Sequence, residues 1–203
     1  MPGRLWLTRP AEEIAAAAGV PGLGPLAPRR NIAPGQEVAV LTPQGWATAR
    51  WGLVPVGRKD ARGRPVMSML VNARSETVFD KTAYEGTGLA VVPADGWYEW
   101  TGTGRSKRAH AISRRDGGVL FFAAIRDLWR GPGGIEVLQV ATVTCPPNGD
   151  VGPIHDRMGV ILEADRIGTW LAGGEGAKAL MRPMPDGSLI VRDQPRDGWE
   201  DGP

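Results

Sequence analysis

Three polar residues in this chain sit among neighbours that read as core, and each is chemically competent. They are Asn72 in VNARSET (71–77), Glu99 in VVPADGWYEW (91–100) and His155 in PIHDRM (153–158). Burying a carboxylate between aromatics is costly unless the group is used or paired. On a strand, Glu99 and Trp97 share one face and Tyr98 and Trp100 the other. A carboxylate held against an indole away from water has its pKa raised and can pass protons near neutrality. The bland alternative is an edge-strand Glu in water with the aromatics packed below. His155 lies in a turn entering an apolar stretch, where Asp156 or a carbonyl would fix its tautomer for acid or base work; the alternative is a turn histidine bonded to backbone. Asn72 and Arg74 alternate, so on a strand they converge on one spot and suit a phosphate or sugar oxygen. Otherwise Asn72 caps a turn and Arg74 pairs with Glu76.

The elements that must position these groups are mostly strands. PAEEIAAAAG (10–19) reads as a short helix with Pro at its start and Gly at its stop. Gly and Pro dominate 19–35, an irregular segment. EVAVLT (37–42) and GWATARW (45–51) form a hairpin across Pro-Gln. A basic loop follows at 57–66. LAVVPADGWYEW begins as a buried strand, turns at Pro-Ala-Asp-Gly and resumes as an aromatic strand. AHAISRR (109–115), VLFFAAIRDLW (119–129) and IEVLQVATVTC (135–145) alternate or run apolar between Gly-rich turns. EADRIGTWLAG (163–173) has helical spacing, and 183–203 is a weakly patterned tail with one strand, SLIV (188–191). The expected fold is a single α+β domain over 1–203, with a mainly antiparallel, barrel-like β core and a few short helices.

Composition limits the function classes. With 42% hydrophobic and 23% charged residues, the chain is of the globular class. No apolar run approaches the roughly 20 residues of a membrane span, and no secretory signal is visible. Cys145 is the single cysteine, so no internal disulfide forms and a cytoplasmic location is expected, at the nucleoid when bound to DNA. That cysteine follows a β-type run and reads as a small buried hydrophobe. Two histidines and one cysteine, far apart, argue against a metal site. No phosphate-binding loop, dinucleotide fingerprint, nucleophile elbow or zinc-protease motif occurs, and no cofactor is expected. Nothing points to an obligate oligomer, so a monomer is expected. Net charge is +2, but residues 1–160 carry +5 and 161–203 carry −3. Of 24 basic residues, 20 are Arg, which suits phosphate contacts and equally fits a GC-rich genome. There are eight Trp; most are expected to pack, and exposed ones could stack on unpaired bases.

In order along the chain stand Gly3-Arg4, NIAPGQ (31–36), RWGLVP (50–55), NARSET (72–77), VPADGWYEW (92–100) and PIHDRMGVIL (153–162). This series resembles the SRAP (SOS response-associated peptidase) family, whose members shield abasic sites in single-stranded DNA. The resemblance covers roughly 1–172 and fades in the tail, where the family's Val-Asn is not recognisable. It implies single-stranded DNA with abasic sites as partner and gives each motif a role. Family members remove their initiator Met to expose an N-terminal Cys, which condenses with the abasic aldehyde as a thiazolidine. By motif, Asn72 would hold the N-terminal residue and the opened sugar. Glu99 would move protons during aldehyde capture and Met removal. His155 would assist ring opening and Schiff-base formation. Arg4, Arg74 and Arg157 are expected on phosphates, and Trp97 on DNA.

This chain departs from the pattern at position 2, where Pro replaces Cys. Thiazolidine formation and self-cleavage are therefore expected to be lost. If Met1 is removed, the Pro2 secondary amine, titrating near neutrality as α-amino groups do, can form a transient Schiff base or drive lyase chemistry. If Met1 stays, Pro2 nitrogen is an amide and the domain reads single-stranded or junction DNA without a covalent bond. A third possibility is a fold kept only for a protein partner, which the survival of Asn72, Glu99 and His155 argues against.

Overall fold

Alternating and continuous apolar strands build two sheets in the computed structural model, which describes residues 2–55, 62, 68–80 and 86–194. The basic loop at 57–66, apart from residue 62, and the tail beyond residue 194 lie outside these. The strands are β1 (Leu5–Leu7), β2 (Arg29–Ile32), β3 (Glu37–Thr42), β4 (Gly45–Trp51), β5 (Asn72–Arg74), β6 (Gly88–Ala94) and β7 (Gly96–Thr101). They continue with β8 (Arg108–Arg114), β9 (Leu120–Arg130), β10 (Glu136–Cys145), β11 (Met158–Gly159), β12 (Ile161–Leu162) and β13 (Leu189–Gln194). Three short helices, α1 (Ala11–Ala18), α2 (Ile167–Ala172) and α3 (Gly174–Ala179), pack around them.

One sheet runs β13-β8-β7-β1-β2. The other runs β11-β10-β4-β3-β6-β9-β12, with β5 added alongside β10. Because β9 pairs with both β6 and β10, the path β10-β4-β3-β6-β9 returns to β10 and the sheet closes into a ring. Closure leaves few free edges. Most pairings are antiparallel; β10 pairs in parallel with β4 and β5. Trp51, Trp97, Trp170, Phe122 and Leu120 are fully buried in the core, where Trp97 of one sheet packs edge-on against Phe122 of the other and Trp170 of α2 covers β6. The α+β reading with a mainly antiparallel core therefore holds. Among the described residues no helix is long and apolar enough to cross a membrane.

Local readings fared unevenly. The helix after Pro10 stops at Gly19 in the left-handed conformation (φ 66°), as its sequence requires. The 37–51 hairpin forms with Thr42 opposite Gly45. The segment 19–35 is not irregular throughout, because β2 finds an edge position against β1. The turn expected at Pro-Ala-Asp-Gly is also absent as such. Pro93 stays extended within β6, opposite Phe121, and Asp95 alone hands the chain from one sheet to the other. Its buried carboxylate stops the strand by accepting from Thr8 N–H (2.7 Å), Thr8 Oγ1 (2.9 Å) and Arg9 Nε (2.8 Å). The helical spacing at 163–173 resolves into a 3-10 turn, α2 and a stop at Gly173. The weakly patterned tail carries β13, a full partner of β8 out to Gln194.

Candidate active site

The site forms where the two sheets bring three motifs to the amino-terminal strand. β1 lies antiparallel to β7 with Leu5 opposite Trp97 and Trp6 opposite Gly96. Tyr98 N–H donates to the Arg4 carbonyl at 2.9 Å, so the same register carries the start of the chain past Glu99. Pro2 is buried. Asn72, the first residue of β5, donates its Nδ2 to the Pro2 carbonyl at 3.0 Å. On the other side of its amide, Asn72 Oδ1 accepts the hydroxyl of Thr142 at 2.5 Å. Thr142 is fully buried on β10, directly paired with Asn72. A hydroxyl donating to one end and a carbonyl accepting from the other fix which way the amide faces. Sequence reasoning missed Thr142; its signal was a hydroxyl inside an apolar strand, which is common and unspecific.

Glu99 is 3% exposed on β7. Burial pushes its carboxyl up to about 7, while the positive charge of the chain's amino terminus pulls the other way. The carboxyl is thus poised to hold or release a proton near neutrality. His155 stands 3.9 Å from it, Nε2 to Oε2. The residue sits in a turn fixed by its backbone N–H, which donates to the Val151 carbonyl (3.0 Å). Its Nδ1 accepts the backbone N–H of Arg157 at 2.9 Å. In the neutral ring this leaves the proton on Nε2, facing Glu99. Asp156, on the solvent side, also reaches Nδ1 at 2.9 Å and would balance the charge of a protonated ring. Burial lowers the His155 pKa below its ordinary value, and the amino-terminal charge adds to this. The neutral ring is therefore the resting form at physiological pH. The strand after this turn supplies Gly159, and a Cβ built there would lie 3.5 Å from the Pro2 ring and 2.4 Å from Phe122. Gly159 is a second site residue that sequence reasoning did not single out.

The expected DNA contacts divide. Arg74 is exposed at the end of β5, and no ion pair ties it down among the described residues. Arg4 is half-buried beside β7, its Nη1 on the Gly3 carbonyl (3.2 Å). Arg157 is engaged within the protein. Its guanidinium forks onto both oxygens of Glu76, with Nη2 to Oε2 at 2.8 Å, and Nη2 also reaches the Thr144 carbonyl at 2.6 Å. The Arg157 bond holds the Glu76 carboxyl down at about 2. Glu76 thus pairs with Arg157, not with Arg74. Trp97 requires a correction. It is fully buried, edge-on to Phe122 with ring centroids 5.7 Å apart, so it backs Glu99 from the core and offers no face to a base. Half-buried Trp100 lies on the opposite face of β7, with Lys107 Nζ 5.3 Å from its ring centre. Cys145 is buried with its thiol pushed up to about 12, inert as expected. Among the described residues no cluster of three His, Cys, Asp or Glu is placed to hold a metal ion.

The chain is 30% identical over 156 residues to the abasic site processing protein YoaM of Bacillus subtilis, covering 73% of this chain and 67% of that protein. It is 34% identical over 162 residues to the abasic site processing protein HMCES of Gallus gallus, covering 66% of this chain and 48% of the relative. The chain thus spans about half the length of the vertebrate relative. Among solved structures, a Bacteroides thetaiotaomicron protein superposes with a TM-score of 0.81 at 20% identity, covering 96% of this chain and 92% of that one. A phage-related protein of Bordetella bronchiseptica superposes with a TM-score of 0.73 at 27% identity, covering 95% and 93%. The sequence description of one family, SOS response associated peptidase (SRAP), matches residues 1–193, the span that contains every element of the site just described. The chain belongs to the SRAP family.

Proposed function

We propose that this protein processes abasic sites in single-stranded DNA, using the Pro2 nitrogen as a transient covalent handle once Met1 has been removed. The observation that carries the reading is the seating of Pro2. The residue is buried, its carbonyl is gripped by Asn72, its ring lies beside Gly159, and the charge of the chain's amino terminus acts on both Glu99 and His155. A freed α-amine is basic enough to attack and neutral enough to be available near pH 7.

The chemistry balances without a cofactor. The Pro2 nitrogen adds to the aldehyde carbon of the opened sugar, and the carbonyl oxygen takes a proton from His155 Nε2 or protonated Glu99. Loss of water from that adduct, with a second proton transfer, leaves an iminium cation. No thiol stands at position 2 to close on it, so the adduct stays reversible. The iminium acidifies the neighbouring sugar carbon. Ionised Glu99 can take that proton while the phosphate on the next carbon leaves with the C–O bonding electrons. Hydrolysis of the iminium then returns the Pro2 amine. Arg74 and Arg4 supply the positive charge that seats the strand.

The test is borohydride reduction with an abasic single-stranded oligonucleotide, on protein whose first residue is established by intact mass. A trapped adduct from protein starting at Pro2, and none from protein retaining Met1, is expected. Absence of an adduct from the Pro2 form overturns the covalent reading. Salt-dependent binding without preference for abasic over intact DNA would then favour the non-covalent one.

A further inference from the structure

The other histidine belongs to an acid–base array that the proposed DNA chemistry does not use. His110 lies on β8, paired opposite Glu99 on one side and opposite Asp193 of β13 on the other. Its Nδ1 is 3.0 Å from Asp193 Oδ1, and its Nε2 is 2.8 Å from the hydroxyl of Thr101. The carboxylate keeps the neutral ring's proton on Nδ1, so the Nε2 lone pair faces Thr101 and accepts its hydroxyl proton. This is the order of groups that activates a hydroxyl nucleophile: an orienting acid, an imidazole base and a hydroxyl in line. His110 is 8% exposed and so held in place, while Thr101 is half-buried and leads directly into a turn in which Gly102, Thr103, Gly104 and Ser106 are exposed. The hydroxyl is therefore reachable from solvent while its base is shielded. Two residues from Glu99 on the same face of β7, it sits roughly 7 Å along the strand from the DNA site.

We propose that Thr101, His110 and Asp193 form a second catalytic site, a hydroxyl nucleophile for acyl transfer that takes small carboxylic esters. The Thr101 proton passes to His110 Nε2 as Oγ1 bonds to the ester carbonyl carbon. Collapse of the tetrahedral adduct breaks the bond to the alcohol oxygen, which leaves with the proton from His110. The acyl-Thr101 ester that remains is attacked by water, whose proton passes to His110. The acyl group leaves as a carboxylic acid, and Thr101 regains its proton. No oxidant, metal or co-reactant other than water enters.

The probe is p-nitrophenyl acetate, incubated with the full chain and read as nitrophenolate release and as acetylation mapped by peptide mass spectrometry. Turnover above buffer is expected, with acetate on Thr101. Release falls about 100-fold in Thr101→Val, and Thr101→Ser, with its less crowded primary hydroxyl, retains or exceeds the wild-type rate. Thr101→Val keeps the volume and strand propensity of the residue, and its melting temperature reports that the fold is kept. Release unchanged in Thr101→Val, with only the melting temperature shifted, would mean that the array merely ties β13 to β7. Acetate found on His155 or a lysine instead of Thr101 would equally overturn the site.

Discussion

The two histidines both neighbour Glu99, one beside its carboxyl and one opposite it across the strand pair, and are held as opposite tautomers. His155, in a turn, accepts a backbone N–H at Nδ1 and turns Nε2–H toward a buried, proton-holding Glu99. His110, inside a strand, gives Nδ1–H to an exposed Asp193 and turns a bare Nε2 toward Thr101. The first ring is a donor to an acid–base pair; the second is a base for a hydroxyl. The carboxylates differ in the same way. Glu99 gains its proton affinity from burial, whereas Glu76 loses affinity to the Arg157 fork. The residue type alone decides none of these roles; the group on the far nitrogen or beside the far oxygen does.

The largest effect that can break this contrast is on Glu99. Glu99→Gln keeps the shape and removes the titrating proton, so borohydride-trapped adduct with abasic DNA should form at least about 100-fold more slowly. An unchanged rate would take Glu99 out of the chemistry. The same residue should mark the pH dependence of stability. With a folded pKa near 7 against an ordinary 4.5, the folded state binds more protons between those values. Stability from Glu99 is therefore highest below about pH 4.5 and declines by about 3 kcal/mol as pH rises to 7. Glu76 runs the other way: its contribution is present above 4.5 and lost as pH falls toward 2. Denaturant titrations from pH 4 to 8 should show Glu99→Gln flattening the decline, and Glu76→Gln should leave it in place.

A smaller effect tests orientation. Thr142→Val removes the hydroxyl that sets the Asn72 amide, and adduct formation should slow about tenfold with DNA affinity nearly unchanged. Equal loss of affinity and rate would make Thr142 a packing residue only. Smaller still, Arg74→Ala should lower the slope of log affinity against log salt by about 1. Trp97→Phe should leave DNA affinity within about twofold and cost stability instead, because that ring is in the core.

The sequence was legible where local pattern and local partners coincide. The Ala-rich helix with its Gly stop, the 37–51 hairpin and the long β9 and β10 runs carry their own periodicity. Asn72, Glu99 and His155 stood out because each is polar in an apolar context. Thr142, Gly159 and the Thr101–His110–Asp193 array did not, because their partners come from distant strands. His110 fits the alternation of its strand, and Asp193 sits in a tail with little pattern, so only sheet register brings them together. Trp97 was misread for a related reason. Alternation placed it correctly on the Glu99 face, but nothing in the motif shows that Phe122 packs against this particular ring and leaves it fully buried. The engagement of Arg157 by Glu76 was likewise hidden, since the two lie in different motifs.

Position 2 joins these observations, since Asn72 grips its carbonyl and the amino-terminal charge felt by Glu99 and His155 brings the start of the chain to the same site. The most direct measurement is the attachment site of the borohydride-trapped adduct, mapped by peptide mass spectrometry on protein beginning at Pro2. The account expects the sugar remnant on the Pro2 nitrogen. A remnant on a lysine, with Pro2 unmodified, would contradict it.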